Sequence, residues 1–287
     1  MATLRDIRTR IASVKSTKQI TNAMKMVSAA KLRRATEAAV SARPWEQTLT
    51  ATLQRVASGA GEIEHPLLEA RPNVHNVLLV VVTTDRGLCG GFNGTLLRQT
   101  GAWLKAQEAL GHKVAIRAFG KKSREFFKVR GYAVDETRIE VNPAKFQSEV
   151  QTLAAVLVGG FTSYDYDECY IAYNQFKNAL TQTPTFAKVL PLSIQGSDAP
   201  VGAADYIFEP KGAAILETLL PLYLRTLLLQ TFLETEAGEQ AARMTAMDNA
   251  TRNATDLIKQ LTLDYNRGRQ AAITKELIEI VSGAEAL

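Results

Sequence analysis

The stretch of this chain that most invites a chemical reading is Thr83-Thr84-Asp85-Arg86-Gly87-Leu88-Cys89-Gly90-Gly91-Phe92-Asn93-Gly94. A glycine-rich loop between a strand and a helix can cradle a phosphate with its backbone N–H groups. The glycines here do not fall in the spacing of a dinucleotide fingerprint, and no P-loop lysine follows. The expected role is therefore structural, with Gly87, Gly90 and Gly91 supplying positive φ and close packing. Gly120-Lys121-Lys122-Ser123 resembles a Walker A ending, but that motif needs a glycine at Ala115 and a hydroxyl at Lys122.

The remaining candidates are sparse. His65, His75 and His112 are scattered, with no nucleophile or second ligand at a mechanistic spacing. Asp165, Asp167 and Glu168 form an acidic cluster without the alternation or glycine of a calcium loop, and read as a solvated turn before a strand. Cys89 and Cys169 stand far apart, with neither a CxxC spacing nor a histidine pair, so neither zinc nor a disulfide framework is expected. No catalytic residue, cofactor or metal is assigned. An enzyme reading rests on the glycine loop alone: an α/β nucleotide-binding domain carrying helical arms for dimerisation.

Composition is that of a foldable globular chain, 287 residues with 46% hydrophobic content. No apolar run reaches the length of a membrane span, so the chain is not expected to cross a bilayer by itself. Charge is unevenly placed. Residues 1–36 carry nine Lys or Arg against the single acid Asp6, and the remainder is net acidic. A basic, acid-poor start also describes a transit peptide, but no break in pattern separates it from the helix that follows. Nucleic-acid or anionic-membrane binding would need more than this charge, because no aromatic residues interleave with it.

The elements come next. From Leu4 the apolar positions Leu4, Ile7, Ile11 and Val14 alternate by three and four, then resume after a phase slip as Ile20, Ala23, Val27 and Ala30. That predicts a helix over 1–57, kinked or interrupted at Pro44. A second long helix is expected over 210–287, opening with Pro210 in its first turn. Within it Met244, Met247, Thr251, Ala254, Ile258, Leu261, Tyr265, Gly268 and Ala272 keep a strict 3.5-residue period, the signature of left-handed supercoiling. Leu261 and Ile258 should face a partner helix, with Lys259 and Asp256 outward. All methionines beyond the initiator, Met24, Met26, Met244 and Met247, lie on these two helices, as core or as a pliable contact surface.

Residues 58–209 change character. Strands are expected at Val77–Thr84, Lys113–Phe119, Glu168–Phe176 and Thr185–Leu190. Helices are expected at Asn93–Leu110, Lys121–Arg130 and from the Asn142-Pro143 cap to Val158. The fold class is α/β: a Rossmann-like domain with a largely parallel sheet covered on both faces. Two long terminal helices that cannot stand alone in water should pair antiparallel with each other, the domain sitting at the base of the rod.

Three separated segments carry a family resemblance in the right order: IRTRIASVKSTKQITNAMKMVSAAKLRR, TTDRGLCGGFN and ARMTAMDNATRNATDLIKQLTLDYNRGRQAAITKELIEIVSG. Over essentially its whole length the chain resembles the gamma subunits of F-type ATP synthases, bacterial in type, without the cysteine-containing insertion of the chloroplast form. The resemblance implies a non-catalytic central-stalk rotor on the cytoplasmic face of the bacterial inner membrane, passing torque between the membrane c-ring and the alpha/beta hexamer. It implies alpha and beta subunits around the coil, and the epsilon subunit and c-ring at the α/β domain. Met24, Lys25, Arg243, Arg269, Gln270, Thr274 and Glu276 match positions tied to alpha/beta contact and coupling. Lys25 departs from family members with an acid there, and the resemblance would set its cation against acidic loops of the catalytic subunits.

Overall fold

The computed structural model describes residues 3–59, 65–138, 143–193 and 212–285. The chain divides into two compact units. One comprises 1–29 with 243–287, the other 30–242. Asn142 and Pro210 lie outside the described residues.

In the larger unit, β1 (Asn76–Val82), β2 (Lys113–Phe119), β3 (Val134–Arg138), β4 (Glu168–Phe176) and β5 (Gln182–Leu190) form one sheet in the order β3-β2-β1-β4-β5. Every pairing is parallel except β4 with β5. A central strand of a parallel sheet is covered on both faces, which is why β1 reads as the uninterrupted run Val77–Val82 and is wholly buried. One face carries α2 (Phe92–Ala109) and α3 (Lys121–Val129), packed through Leu96, Leu97, Leu104 and Phe127. The other carries α4 (Phe146–Thr162), which a short 3-10 turn at Pro143–Lys145 leads into. On that face lie also the second half of α1 (Leu4–Gly59) and the first half of α5 (Gly212–Glu285).

That second face is the main core. Leu49, Leu53 and Val56 of α1 meet Leu216, Leu220, Leu224, Leu228 and Phe232 of α5 over Val80, Val82 and Ile171. The α5 leucines recur every four residues, placing one stripe inward. Phe232 is 1% exposed and meets Phe119 and Phe146 edge-on at 5.2 and 5.5 Å. Gly238 permits the close approach of α5, since a Cβ there would sit 2.9 Å from the Phe92 ring.

Three points differ from expectation. Pro44 does not interrupt the 56-residue α1, and Pro221 lies inside α5 as expected. Strand β3 was not anticipated, because its charged sequence VDETR lacks the apolar run of its neighbours. The phase slip on α1 does not occur. Protected positions run Leu4, Ile7, Ile11, Val14, Lys18, Thr21, Lys25, Ser28 and onward through Leu32, Ala35 and Ala39 in one 3.5 period, while Ile20 and Val27 are each 57% exposed and Ala23 and Ala30 also face out.

Candidate functional site

In the smaller unit the first part of α1 and the last part of α5 pair antiparallel. Arg8 donates to the Tyr265 hydroxyl at 2.5 Å with its guanidinium 5.4 Å from the ring. Thr21 and Thr251 hydroxyls meet at 2.8 Å, and the Lys25 ammonium reaches Asp248 Oδ1 at 2.6 Å. A Cβ on Gly268 would lie 3.1 Å from Leu4 Cδ2. These four contacts share one register. The C-terminal seam is as expected: Met247, Ala254 and Leu261 are buried and Thr251, Ile258, Tyr265, Gly268 and Ala272 are partly covered. Lys259 and Asp256 side chains stand 72% and 74% exposed.

Lys25 keeps 37% of its side chain exposed while its ammonium pairs across the coil with Asp248. Asp248 accepts Lys25 on one oxygen and Arg252 on the other, at 2.7 Å. Hydrogen bonding from Lys25, aided by the Arg252 charge, holds the Asp248 carboxyl below its ordinary range. Asp248 escaped the sequence reading although its sign and heptad position complement Lys25. Reversing either charge alone should lower the thermal midpoint of the purified chain, and the exchange Lys25→Asp with Asp248→Lys should recover most of the loss. Two additive losses would show that the pair does not couple.

The other coupling positions fall into two settings. Met24 is half-buried beside Lys25, and Arg243 is buried at 8% exposure. Arg269, Gln270, Thr274 and Glu276 are exposed on α5 beyond Gly268. Around them Ile273, Leu277, Ile278, Ile280 and Val281 are 49–67% exposed. On α1, Met26 joins Ile20 and Val27 at 64% exposure.

The glycine loop is braced by its own side chains. It sits at the carboxyl end of β1, beside the β1–β4 switch of strand order where α/β sheets bind ligands. Asn93 accepts the Thr84 N–H at 3.2 Å and donates Nδ2 to the Thr84 hydroxyl and the Cys89 thiol. Asp85 accepts the Lys121 N–H at 2.8 Å. Only Gly90 of the three named glycines has positive φ, at 59°, and Leu88 shares that conformation at 61°. The adjoining crevice, bounded by Val82, Thr83, Phe146, Phe232 and Thr235, keeps about 20 Å³, one water's worth of space. A nucleotide does not fit there.

The acidic cluster lies at a turn before β4 as expected, with Asp165 exposed, while Asp167 and Glu168 are tied into the structure. Asp167 accepts the N–H groups of His75 and Asn76, each at 2.8 Å, and pairs with Arg71. Glu168 holds Lys188 and the Tyr170 hydroxyl. No group of three potential metal-ligating side chains occurs among the described residues.

An antiparallel helical coil and a Rossmann-like sheet built from one chain, with uncovered apolar side chains on the helix exteriors, mark the class of an assembly subunit with a stalk-like coil. The sequence family described as ATP synthase matches residues 3–287. The chain is 45% identical to the ATP synthase gamma chain of Pelotomaculum thermopropionicum and 46% identical to that of Desulforamulus reducens, each over all of both chains. A chain of the Euglena gracilis mitochondrial ATP synthase, solved as an assembly of OSCP, F1 and c-ring, superposes with a TM-score of 0.70 at 26% identity, covering 99% of this chain and 94% of that one. The chain belongs to the ATP synthase gamma chain family. Its role is that of the rotor subunit of that complex.

Proposed function

We propose that this chain carries torque between the membrane c-ring and the alpha/beta hexamer without catalysing chemistry itself, from the cytoplasmic side of a bacterial membrane. The observation supporting this reading is the apolar surface that the coil leaves uncovered. Its own seam is closed, yet Ile20, Met26 and Val27 on α1 and Ile273, Leu277 and Ile280 on α5 face outward. The first three lie on a stretch of α1 already paired with α5, the last three on the end of α5 that runs past Leu4, and apolar surface of both kinds calls for surrounding protein. Alpha and beta subunits are the proposed cover, with Met24, Lys25, Arg243, Arg269, Gln270, Thr274 and Glu276 among the coupling positions. The epsilon subunit and c-ring are assigned to the sheet-bearing unit, and membrane attachment is indirect. No helix among the described residues is long and apolar enough to cross a membrane.

A pair of helices is not round in cross-section, so turning it presents different faces to its neighbours and biases each toward a different conformation. Cys89 and Cys169 are buried and form no disulfide, and can be replaced by Ala to leave a background without other cysteines. A cysteine at exposed Asn249 on α5 is then joined by a disulfide to a cysteine in one catalytic subunit. Linkage is expected to stop sustained ATP turnover while single-site nucleotide binding persists, and reductant should restore turnover. Full steady-state turnover with the bond quantitatively formed would sink the rotary reading.

A further inference from the structure

Between α1, α4 and α5 the larger unit leaves a groove of about 580 Å³, within the range of small-ligand sites. Trp45 of α1, Gln147 and Val150 of α4, and Leu222, Leu229 and Gln230 of α5 line it. Trp45 is 57% exposed, whereas Gln230 is 9% exposed. Gln230 donates Nε2 to Glu234 Oε1 at 3.0 Å, one turn further along α5, and Glu234 is 7% exposed. That bond fixes which way the amide points, since turning it over would set oxygen against oxygen. Gln230 Oε1 is therefore an acceptor in need of a donor, and it has no hydrogen-bond partner among the described residues. Glu234 Oε2 lacks one as well. Leaving buried acceptors unsatisfied is costly, so the groove selects for an occupant that brings a donor.

We propose that this groove binds a primary ammonium or guanidinium group, whose N–H donates to Gln230 Oε1 and whose charge meets the Trp45 indole. Two features select a cation bearing N–H over a neutral donor or an anion. An amide that gives its own N–H to a carboxyl oxygen presents a more strongly polarised carbonyl, because linked hydrogen bonds reinforce one another. The carboxyl behind it, that of Glu234, is buried and adds an acidic group on the side away from the groove's lining. The second feature is Trp45, a solvent-exposed indole in the same lining, and tryptophan is the aromatic residue that attracts cations best.

Arg225 also lines the groove and opposes a cation. It is exposed and stands five residues from Gln230, about 7.5 Å along the helix axis, so water and salt screen it. Glu234 is buried and is screened far less. The same chemistry has two sources, a free amine in solution or the lysine or arginine side chain of a neighbouring subunit.

The test follows the indole N–H signals of the purified, isotopically labelled full-length chain by nuclear magnetic resonance. The chain has two tryptophans, so the signal of Trp45 is the one absent from Trp45→Phe. Butylammonium, butyltrimethylammonium, butanol and butyrate are titrated in turn. Butylammonium should move the Trp45 signal saturably and bind about tenfold more tightly than the other three, the worth of one hydrogen bond to a charged group. Gln230→Leu should erase that preference, Glu234→Gln should reduce it, and Arg225→Gln should tighten the amine by removing a like charge. The titrations of the parent and of Arg225→Gln, a change at an exposed site, read the proposal even where Gln230→Leu folds poorly. Equal binding of butyltrimethylammonium, which keeps the charge and has no N–H, would overturn the proposal. So would the lack of any saturable response to the amine, which would leave water as the partner of the Gln230 oxygen. A response to butyrate that Arg225→Gln abolishes would overturn it in favour of an anion. The two sources are told apart in the complex assembled with its partner subunits. Weakened retention of the Gln230→Leu chain in a salt wash assigns the cation to a neighbour's side chain, and unchanged retention assigns it to a free amine, the site standing in either case.

Discussion

Gly120→Ala is expected to cost at least about 4 kcal/mol, enough to threaten the larger unit as a whole. Gly120 sits at φ 89° between β2 and α3, and a Cβ there would lie 2.4 Å from the Thr83 carbonyl oxygen. Positive φ alone costs an L-residue about 1–2 kcal/mol. The clash adds to this because its target is backbone. Thr83 cannot retreat without breaking its N–H bond to the Phe119 carbonyl at 2.9 Å and its buried hydroxyl network with Ser123. Each buried bond lost costs about 1–3 kcal/mol. Gly111 supplies the control, since it has φ 84° but nothing within 4 Å of its would-be Cβ. Gly111→Ala should cost only about 1–2 kcal/mol. Urea unfolding of both variants decides the matter, and equal losses would show that the dihedral, not the contact, sets the cost.

Arg71→Leu should be the second most damaging change, at about 3–5 kcal/mol. The Arg71 guanidinium donates to the carbonyls of Phe161 and Tyr166 and pairs with Asp167 at 3.3 Å. It lies over the rings of Phe161 at 4.5 Å and Tyr164 at 4.1 Å. Its side chain is 11% exposed, so water does little to screen it. The Phe161 carbonyl belongs to the last turn of α4, where a cation also meets the negative end of the helix dipole. Leucine keeps the apolar stem but removes the cation, so the Tyr166 carbonyl loses this donor while the Phe161 carbonyl keeps only the Tyr164 N–H and Asp167 only those of His75 and Asn76. Arg130 is the comparison: exposed, over Phe126 at 3.6 Å, and expected to cost under about 1 kcal/mol on the same change. The acid limb should shift as well. Burial opposes ionisation of Asp167, but the N–H groups of Asn76 and His75, with Arg71, hold its carboxyl below the ordinary range. Its stabilisation is thus present above about pH 4 and lost as pH falls through the lower folded value. A variant losing Arg71 should fall less steeply in acid than the parent, and an unchanged slope would show that the pair is not coupled.

What the sequence disclosed depended on range. The sheet was legible because β1 is a run of apolar β-branched residues and β2 and β4 are bounded by turn signals, all local features. The α5 seam was legible because Met247, Ala254 and Leu261 are apolar where they are buried. On α1 the same method failed over Lys18 to Ser28. There the seam is polar and satisfied from the other helix, while apolar Ile20, Met26 and Val27 point outward. Periodicity cannot distinguish an inward stripe from an outward one when both are present. Arg71 and Gly120 were invisible for a related reason. Their importance lies in partners distant in sequence, Tyr166 and Asp167 for one and Thr83 for the other. Of the positive φ expected at Gly87, Gly90 and Gly91, only that of Gly90 is present, and Leu88 shares it.

The unlike layers of the coil act as the teeth of a key. Slid by one heptad toward the C-terminus of α5, Lys25 would lie opposite Thr255, the Thr21 hydroxyl opposite Ile258 and Arg8 opposite Ala272, so that an ammonium loses its counter-ion and a hydroxyl its mate. A uniform leucine seam would accept such a slip with little penalty, since every layer would find an equivalent one. Shear along the axis therefore meets a discrete energetic barrier at each polar layer, and two helices with a modest apolar seam can stay locked lengthwise while their outer surfaces remain free to slide against whatever surrounds them.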